Sequence, residues 1–224
     1  MMELMLLALI SDIHSNFPAL RAVLEAIDET GAERVLCCGD VVGYNSFPSE
    51  CFNELRKRRI ESVMGNHDYA ALTDDTHGFT EHAAAVIEWT RKNFETGKLA
   101  SLRERIENER MLLTHGSPRS MFEYVYPDTP AAYLESLIEE RRDYIILGHT
   151  HIPMALQTEK GLFINPGSVG QPRDGDPRAS FALLDTEGKK VEFNRVEYDI
   201  DETAEANKRA GLPEFLSERL YSGI

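Results

Sequence analysis

Five of the seven histidines in the chain sit in short polar clusters, and each cluster follows an apolar run. The clusters are SDIH (Asp12, His14), CGD (Asp40), GNHD (Asn66, His67, Asp68), THG (His115) and GHTH (His149, His151). Imidazole nitrogen, carboxylate and amide oxygen together make a borderline-hard donor set, better suited to manganese, iron or zinc than to a thiolate-loving ion. Asp12, His14, Asp40, Asn66, His115, His149 and His151 are more donors than one four-coordinate ion takes. Two divalent ions sharing a carboxylate fit the number. GHTH on its own leaves two readings open: ordinary strand-end histidines, or a pair turned toward one mouth by a bend at Gly148.

Elements that could gather these residues are visible in the spacing of apolar side chains. Residues 4–10, 35–38, 62–64, 111–114 and 144–147 read as buried strands, each ending in one of the polar clusters. Residues 18–30, 49–59, 81–94, 98–106 and 129–142 read as helices between them. Loops at the carboxyl ends of strands in α/β sheets converge on one crevice, so the clusters are expected to meet there. Residues 161–164, 180–185 and 190–196 read as further strands and 201–210 as a last helix, with a short tail after it. The pattern predicts a mostly parallel layer joined to an antiparallel one, with helices outside.

The ordered series D-x-H, G-D, G-N-H-D, H, G-H-x-H resembles the calcineurin-like metallophosphoesterase superfamily, and in particular its small prokaryotic phosphodiesterase branch, from Asp12 to about Leu184. That resemblance implies an α/β fold: one domain over residues 1–224, built as a four-layer α/β/β/α sandwich of two mixed sheets with a dinuclear metal site at the strand ends. It assigns Asp12, His14 and His151 to one ion, Asn66, His115 and His149 to the other, and Asp40 to a bridge between them. Manganese is the first choice of ion, with iron, zinc, nickel or magnesium as alternatives. The implied reaction is phosphoester hydrolysis, foremost of small phosphodiesters, by hydroxide held between two ions. The resemblance places His67 over the substrate as proton donor or phosphate contact, with Asp68 orienting its other ring nitrogen. The arginine-bearing GD-x-x-D-R-G and the GNHE of the family's serine/threonine protein phosphatases are missing, which disfavours that branch. Hydrolysis of dinucleoside polyphosphates or protein phosphates, and a non-catalytic metal-binding scaffold, are the competing readings.

Four residues near the clusters are candidates for substrate contact. Tyr44 and Asn45 lie in VVGYNSFP directly after Asp40, where they either touch substrate or close the loop. Arg119 in HGSPRS and Arg173 in NPGSVGQPRDGDPRAS offer guanidinium forks for a phosphate. The formal charge of −14 argues against a grip on nucleic acid, which needs a basic face. The reaction that the resemblance implies makes a small phosphorylated substrate the expected partner. No apolar run is long enough for a membrane span. Three cysteines, two of them the adjacent Cys37 and Cys38, form no disulfide or zinc pattern and suggest a reducing cytoplasm. A homo-oligomer is compatible with the sequence, and the stretch 77–106 could serve as a lid, as an interface or as packing for Val86, Trp89 and Phe94.

Overall fold

The computed structural model describes residues 5–224. In chain order the strands are β1 (Leu6–Ile10), β2 (Arg34–Cys37), β3 (Glu61–Ser62), β4 (Ile106–Glu107), β5 (Met111–Leu113), β6 (Tyr144–Ile146), β7 (Met154–Gln157), β8 (Leu162–Asn165), β9 (Ala179–Asp185) and β10 (Lys190–Val196). The helices are α1 (Phe17–Asp28), α2 (Pro48–Lys57), α3 (Asn66–Thr73), α4 (Glu81–Asn93), α5 (Ala131–Ser136), α6 (Ile200–Arg209) and α7 (Glu214–Ser222).

The strands form two five-stranded sheets, β10-β9-β1-β2-β3 and β4-β5-β6-β8-β7. In the first, β1, β2 and β3 run parallel while β9 and β10 are antiparallel additions. In the second, β5, β6 and β8 run parallel, flanked by antiparallel β4 and β7. Parallel and antiparallel pairing are thus mixed in both sheets, as the resemblance implies, which corrects the expectation from spacing of a mostly parallel layer joined to an antiparallel one. The late strands do not form a layer of their own because β9 hydrogen-bonds along β1, with Leu7 opposite Leu184, and β8 lies beside β6.

Alternation along each strand sorts the core into layers. Leu7 and Leu9 of β1 point into a cluster with Met111 and Leu113 of β5, Tyr144 and Ile146 of β6, and Ile164 of β8, which joins the two sheets face to face. Ala8 and Ile10 point the other way, onto Leu20, Val23, Leu24 and Ile27 of α1 and Phe52 and Leu55 of α2. Leu112, Ile145 and Phe163 cover the outer face of the second sheet together with Leu134 of α5 and Leu137 and Ile138 after it. Each of these large side chains contributes about 1.5–3 kcal/mol by leaving water. The result is helix, sheet, sheet, helix.

Helix α1 starts where it does because the Asn16 side chain accepts from the Ala19 N–H at 3.2 Å and Pro18 sits in the first turn. Several other expectations are revised. A helix begins at Asn66, inside GNHD, and α7 occupies the tail. The helix expected over 98–106 is a 3₁₀ turn at Thr96–Ser101, and the one expected over 129–142 contracts to α5. Glu139, Glu140 and Arg141 are charged and exposed and offer no apolar face to continue it. In the 77–106 stretch Val86 and Phe94 are buried and Trp89 packs against a cluster with Leu212 and Leu216, so these side chains face inward. The expected strand start at Leu4 lies outside the described residues.

Candidate metal centre

The five polar clusters stand together at the carboxyl ends of parallel strands drawn from both sheets. Beyond β1 and β2 the pairing continues through the loops themselves: Asp12 N–H donates to Gly39 O at 3.0 Å, His14 N–H to Asp40 O at 2.9 Å and Ser15 N–H to Val41 O at 3.0 Å. These bonds hold an unusual backbone. Asp12, His14, Asp40, His149 and His151 all have positive φ, between 48° and 69°. A non-glycine residue pays of order 1–3 kcal/mol for that conformation, so surrounding structure must impose it. Two glycines make room for it. A Cβ on Gly65 would collide with the Asp40 carboxylate, and one on Gly148 would strike Ser11 Oγ and come within 2.8 Å of Asp12 Oδ2.

Potential ligand atoms converge in three overlapping groups: Asp12 with His14 and His151, His14 with Asp40 and His67, and Asp40 with His115 and His149. All of these side chains are buried. The two histidines of GHTH therefore part company, His151 joining Asp12 and His14 while His149 joins Asp40 and His115. Asn66, the first residue of α3, brings its Oδ1 within 2.9 Å of His115 Nε2. Asp12 accepts the His149 N–H at 3.1 Å, and Asp40 accepts the His67 N–H at 2.8 Å.

Three imidazoles are fixed in orientation by backbone carbonyls behind them. His14 Nδ1 donates to Val42 O at 3.2 Å, His115 Nδ1 to Cys38 O at 2.7 Å and His151 Nδ1 to Gln171 O at 2.5 Å. A carbonyl oxygen only accepts, so Nδ1 carries the proton and Nε2 is turned to the centre. His149 Nε2 is buried with no hydrogen-bond partner among the described residues. Forward-facing Nε2 atoms, an orphaned buried nitrogen and two buried carboxylates are a donor set that fits divalent cations.

Protonation in the ion-free protein follows from burial and the two carboxylates. Burial lowers His14, His67, His149 and His151, with His67 at about 4 and His149 at about 3. Burial also acts against a charged His115, but Asp40 outweighs it and raises that imidazole to about 9. Burial alone would push Asp40 up; the His115, His67 and His14 imidazoles instead hold it well below the usual carboxylate range. Asp12 is raised to about 7, chiefly by burial.

Residues 5–189 match the calcineurin-like phosphoesterase superfamily domain. The chain belongs to the calcineurin-like phosphoesterase superfamily. As a phosphoesterase it hydrolyses phosphoester bonds. It is 37% identical to the uncharacterized protein MJ0912 of Methanocaldococcus jannaschii over 97% of this chain and 98% of the relative. It is 29% identical to phosphodiesterase YfcE of Escherichia coli, over 82% of this chain and 89% of that one. Among solved structures, a metallophosphoesterase from Sphaerobacter thermophilus superposes with a TM-score of 0.86 at 34% identity, covering 98% of this chain and 99% of the other. PH1004 from Pyrococcus horikoshii gives 0.88 at 27% identity, with 98% of each chain covered.

Around the phosphoesterase centre the remaining candidates separate. Tyr44 packs its ring against His14 and His67, each at 4.5 Å between centroids. Arg173 donates to Tyr44 Oη and to Gln171 Oε1, both at 3.1 Å, and its charge is felt by Asp12, His14, His67 and His151. Arg119 is not at the centre. Its guanidinium reaches away to the Ser136 carbonyl, because the Ser117–Ser120 turn redirects the chain after His115. Asn45 is fully buried and spent on structure, donating to His14 O at 2.8 Å while accepting from Asn207 Nδ2 at 2.8 Å, so it does not face a substrate. Asp68 makes no hydrogen bond to the His67 ring. Its carboxylate accepts the N–H groups of Val41, Val42 and Gly65 at 3.0–3.2 Å, and so ties the start of α3 to the loop after Asp40. His67 Nδ1 is left without a hydrogen-bond partner among the described residues.

Two aromatic neighbours had no signal in the sequence. Tyr124 stacks on His149 at 3.9 Å and Phe79 meets His67 edge-on at 4.8 Å. Tyr124 lies further along the loop that His115 opens and Phe79 lies between α3 and α4, both outside the motifs themselves, and only the fold turns their rings onto these histidines.

Proposed function

We propose that the protein hydrolyses small phosphodiesters at a centre holding two divalent ions. The observation that carries this reading is the position of Asp40, whose Oδ2 lies 3.5 Å from His14 Nε2 and 3.4 Å from His115 Nε2. One carboxylate thus serves both ligand groups: Asp12, His14 and His151 on one side, Asn66, His115 and His149 on the other. Manganese suits the mixed nitrogen and oxygen donors, with iron, zinc, nickel or magnesium as alternatives. Such ions, when bound, neutralise phosphoryl oxygens and lower the pKa of water at the site.

The chain's own residues supply the remaining chemistry. His67 is neutral in its buried position, and a phosphate brought against it raises its proton affinity. The imidazole then holds a proton for the leaving oxygen. Asp68 keeps His67 in place through the backbone of α3 and not through the ring. Arg173, braced by Tyr44 and Gln171, adds positive charge beside the substrate phosphate. The three cysteines are free and buried, which suits a reducing compartment such as the cytoplasm. Among the described residues no helix is long and apolar enough to cross a membrane.

The manganese-reconstituted protein should be assayed against phosphomonoesters, cyclic nucleotides, bis-aryl phosphodiesters and dinucleoside polyphosphates, with the highest kcat/KM expected for simple diesters. Asp40→Asn should drop metal content from about two ions per chain to well below one. A variant that keeps both ions overturns the bridging role.

A further inference from the structure

Beside the metal centre lies a cleft of about 480 Å³ that shares Asn66, His67 and His149 with it. Four aromatic rings, Tyr44, Phe79, Phe122 and Tyr124, line it from three separate segments of the chain, beside polar residues that include Asp75 and His77. Phe122 is 50% exposed and Tyr124 46% exposed. Tyr124 is stacked on His149 by one face and Phe122 touches Tyr69 edge-on, yet about half of each ring stays in water at the mouth of the cleft, and clustered exposed apolar surface of this kind marks a ligand site. The volume falls within the range of about 300–1,000 Å³ typical of small-molecule sites and exceeds what a methyl or ethyl group fills.

We propose that this cleft receives a planar, uncharged aromatic group of nucleobase size, carried on the leaving alcohol of an ester with a single phosphate. The proposal rests on the phosphoesterase reading above and narrows its substrate class. Position gives the connection. His67 belongs both to a ligand group, with His14 and Asp40, and to the lining of the cleft, and its ring contacts Tyr44 and Phe79. An alcohol whose oxygen meets His67 therefore extends into the aromatic walls. Stacking on such walls tolerates different rings, because every aromatic ring presents a π-face.

Charge decides against longer phosphate chains. None of the described residues lining the cleft is Lys or Arg, and Asp75 is among them. A second phosphate entering there would meet the Asp75 carboxylate in a protein of net charge −14, with no Lys or Arg in the lining to pair with it. Arg173 does not supply one, since it is not among the residues lining this space.

The test compares benzyl and cyclohexylmethyl esters of methyl phosphate, whose alcohols are similar in bulk and acidity and differ in aromaticity. Their kcat/KM values are measured on the manganese-loaded protein alongside the Kd of benzylphosphonate and cyclohexylmethylphosphonate. Both assays should favour the benzyl compound by about tenfold, the effect of one aromatic stack. Phe122→Ala, at an exposed position, should abolish the preference without changing metal content, and Phe79→Leu should reduce it. A benzyl ester bearing a further phosphate on its ring should be the poorest substrate. Hydrolysis with no aromatic preference, or a preference that survives both variants, or better turnover of the doubly phosphorylated ester, overturns the proposal and leaves the phosphoesterase reading intact. Selective benzylphosphonate binding without hydrolysis of any ester upholds the cleft and overturns the proposed reaction. Equal binding of both phosphonates without hydrolysis overturns both.

Discussion

His14 and His151 point their Nε2 atoms at each other across 3.1 Å. Both rings donate from Nδ1 to carbonyl oxygens and burial keeps both neutral, so the facing atoms are two lone pairs. Lone pairs at that distance repel, and a cation shared by them turns the contact into an attraction. Chelation should therefore lower thermal stability. Saturation at a hundred times Kd is worth about 2.7 kcal/mol, or about 5–10 °C in Tm for a chain of this size. Calorimetric scans before chelation, after it and after manganese is restored provide the check. An unchanged Tm across the three would show that no ion relieves the contact.

His115 sets the pH dependence of ion uptake. In the ion-free protein Asp40 raises it to about 9 from its ordinary 6.5, so it is protonated at pH 7.5, whereas a metal-ligating imidazole is neutral. Ion binding should expel close to one proton there, and apparent affinity should rise with pH until it levels off near about 9. The sign for folding is opposite. A raised histidine pKa stabilises the ion-free fold fully below about 6.5, and that contribution disappears as pH climbs through about 9. Manganese titrations by calorimetry in two buffers of different ionisation enthalpy count the proton directly. Equal heats in the two buffers would refute the assignment.

The two arginines make a matched pair of controls. Arg173→Ala should raise KM or lower kcat by roughly 10–100-fold, the value of a charge-assisted contact of about 1.5–3 kcal/mol, with metal content unchanged. Arg119→Ala should leave kcat/KM as it is, because its guanidinium is committed to Ser136. The reverse pattern would place the substrate phosphate on the other side of the centre.

The convergence of the candidate ligands was readable in the sequence because each one follows an apolar run, and the runs are parallel strands whose ends meet. What position along the chain could not reveal is direction. Arg119 lies four residues from His115 and faces away, while Arg173 lies in a loop of turn residues and comes close. Asp68 follows His67 directly, yet a helix starting at Asn66 sends its carboxylate to the backbone of Val41, Val42 and Gly65. That helix was hidden because NHDYAALT carries no apolar stripe, and its start is held by the Asp68 bond to the Gly65 N–H. Strand β7 was hidden for a related reason: MALQ has no β-branched residue and is not a strict alternation. Helix α7 could have been found, since Pro213 precedes it and Leu216 and Leu220 lie one turn apart.

The pairing of β1 with β9 has a bearing on biosynthesis. Asp12 is the first of the candidate ligands to leave a ribosome and His151 is the last, but Leu6–Ile10 gains its second neighbour only when Ala179–Asp185 has emerged. The bonds that support Asp12 from the far side, Val169 N–H to Ser11 O and Gly170 N–H to Asp12 O, both 2.9 Å, also come late. A nascent chain can therefore carry all seven donors and still lack the scaffold that holds their left-handed backbone. The left-handed backbone of the candidate centre is thereby braced only at the end of translation, and a product stopped short of β9 lacks the strand that holds it.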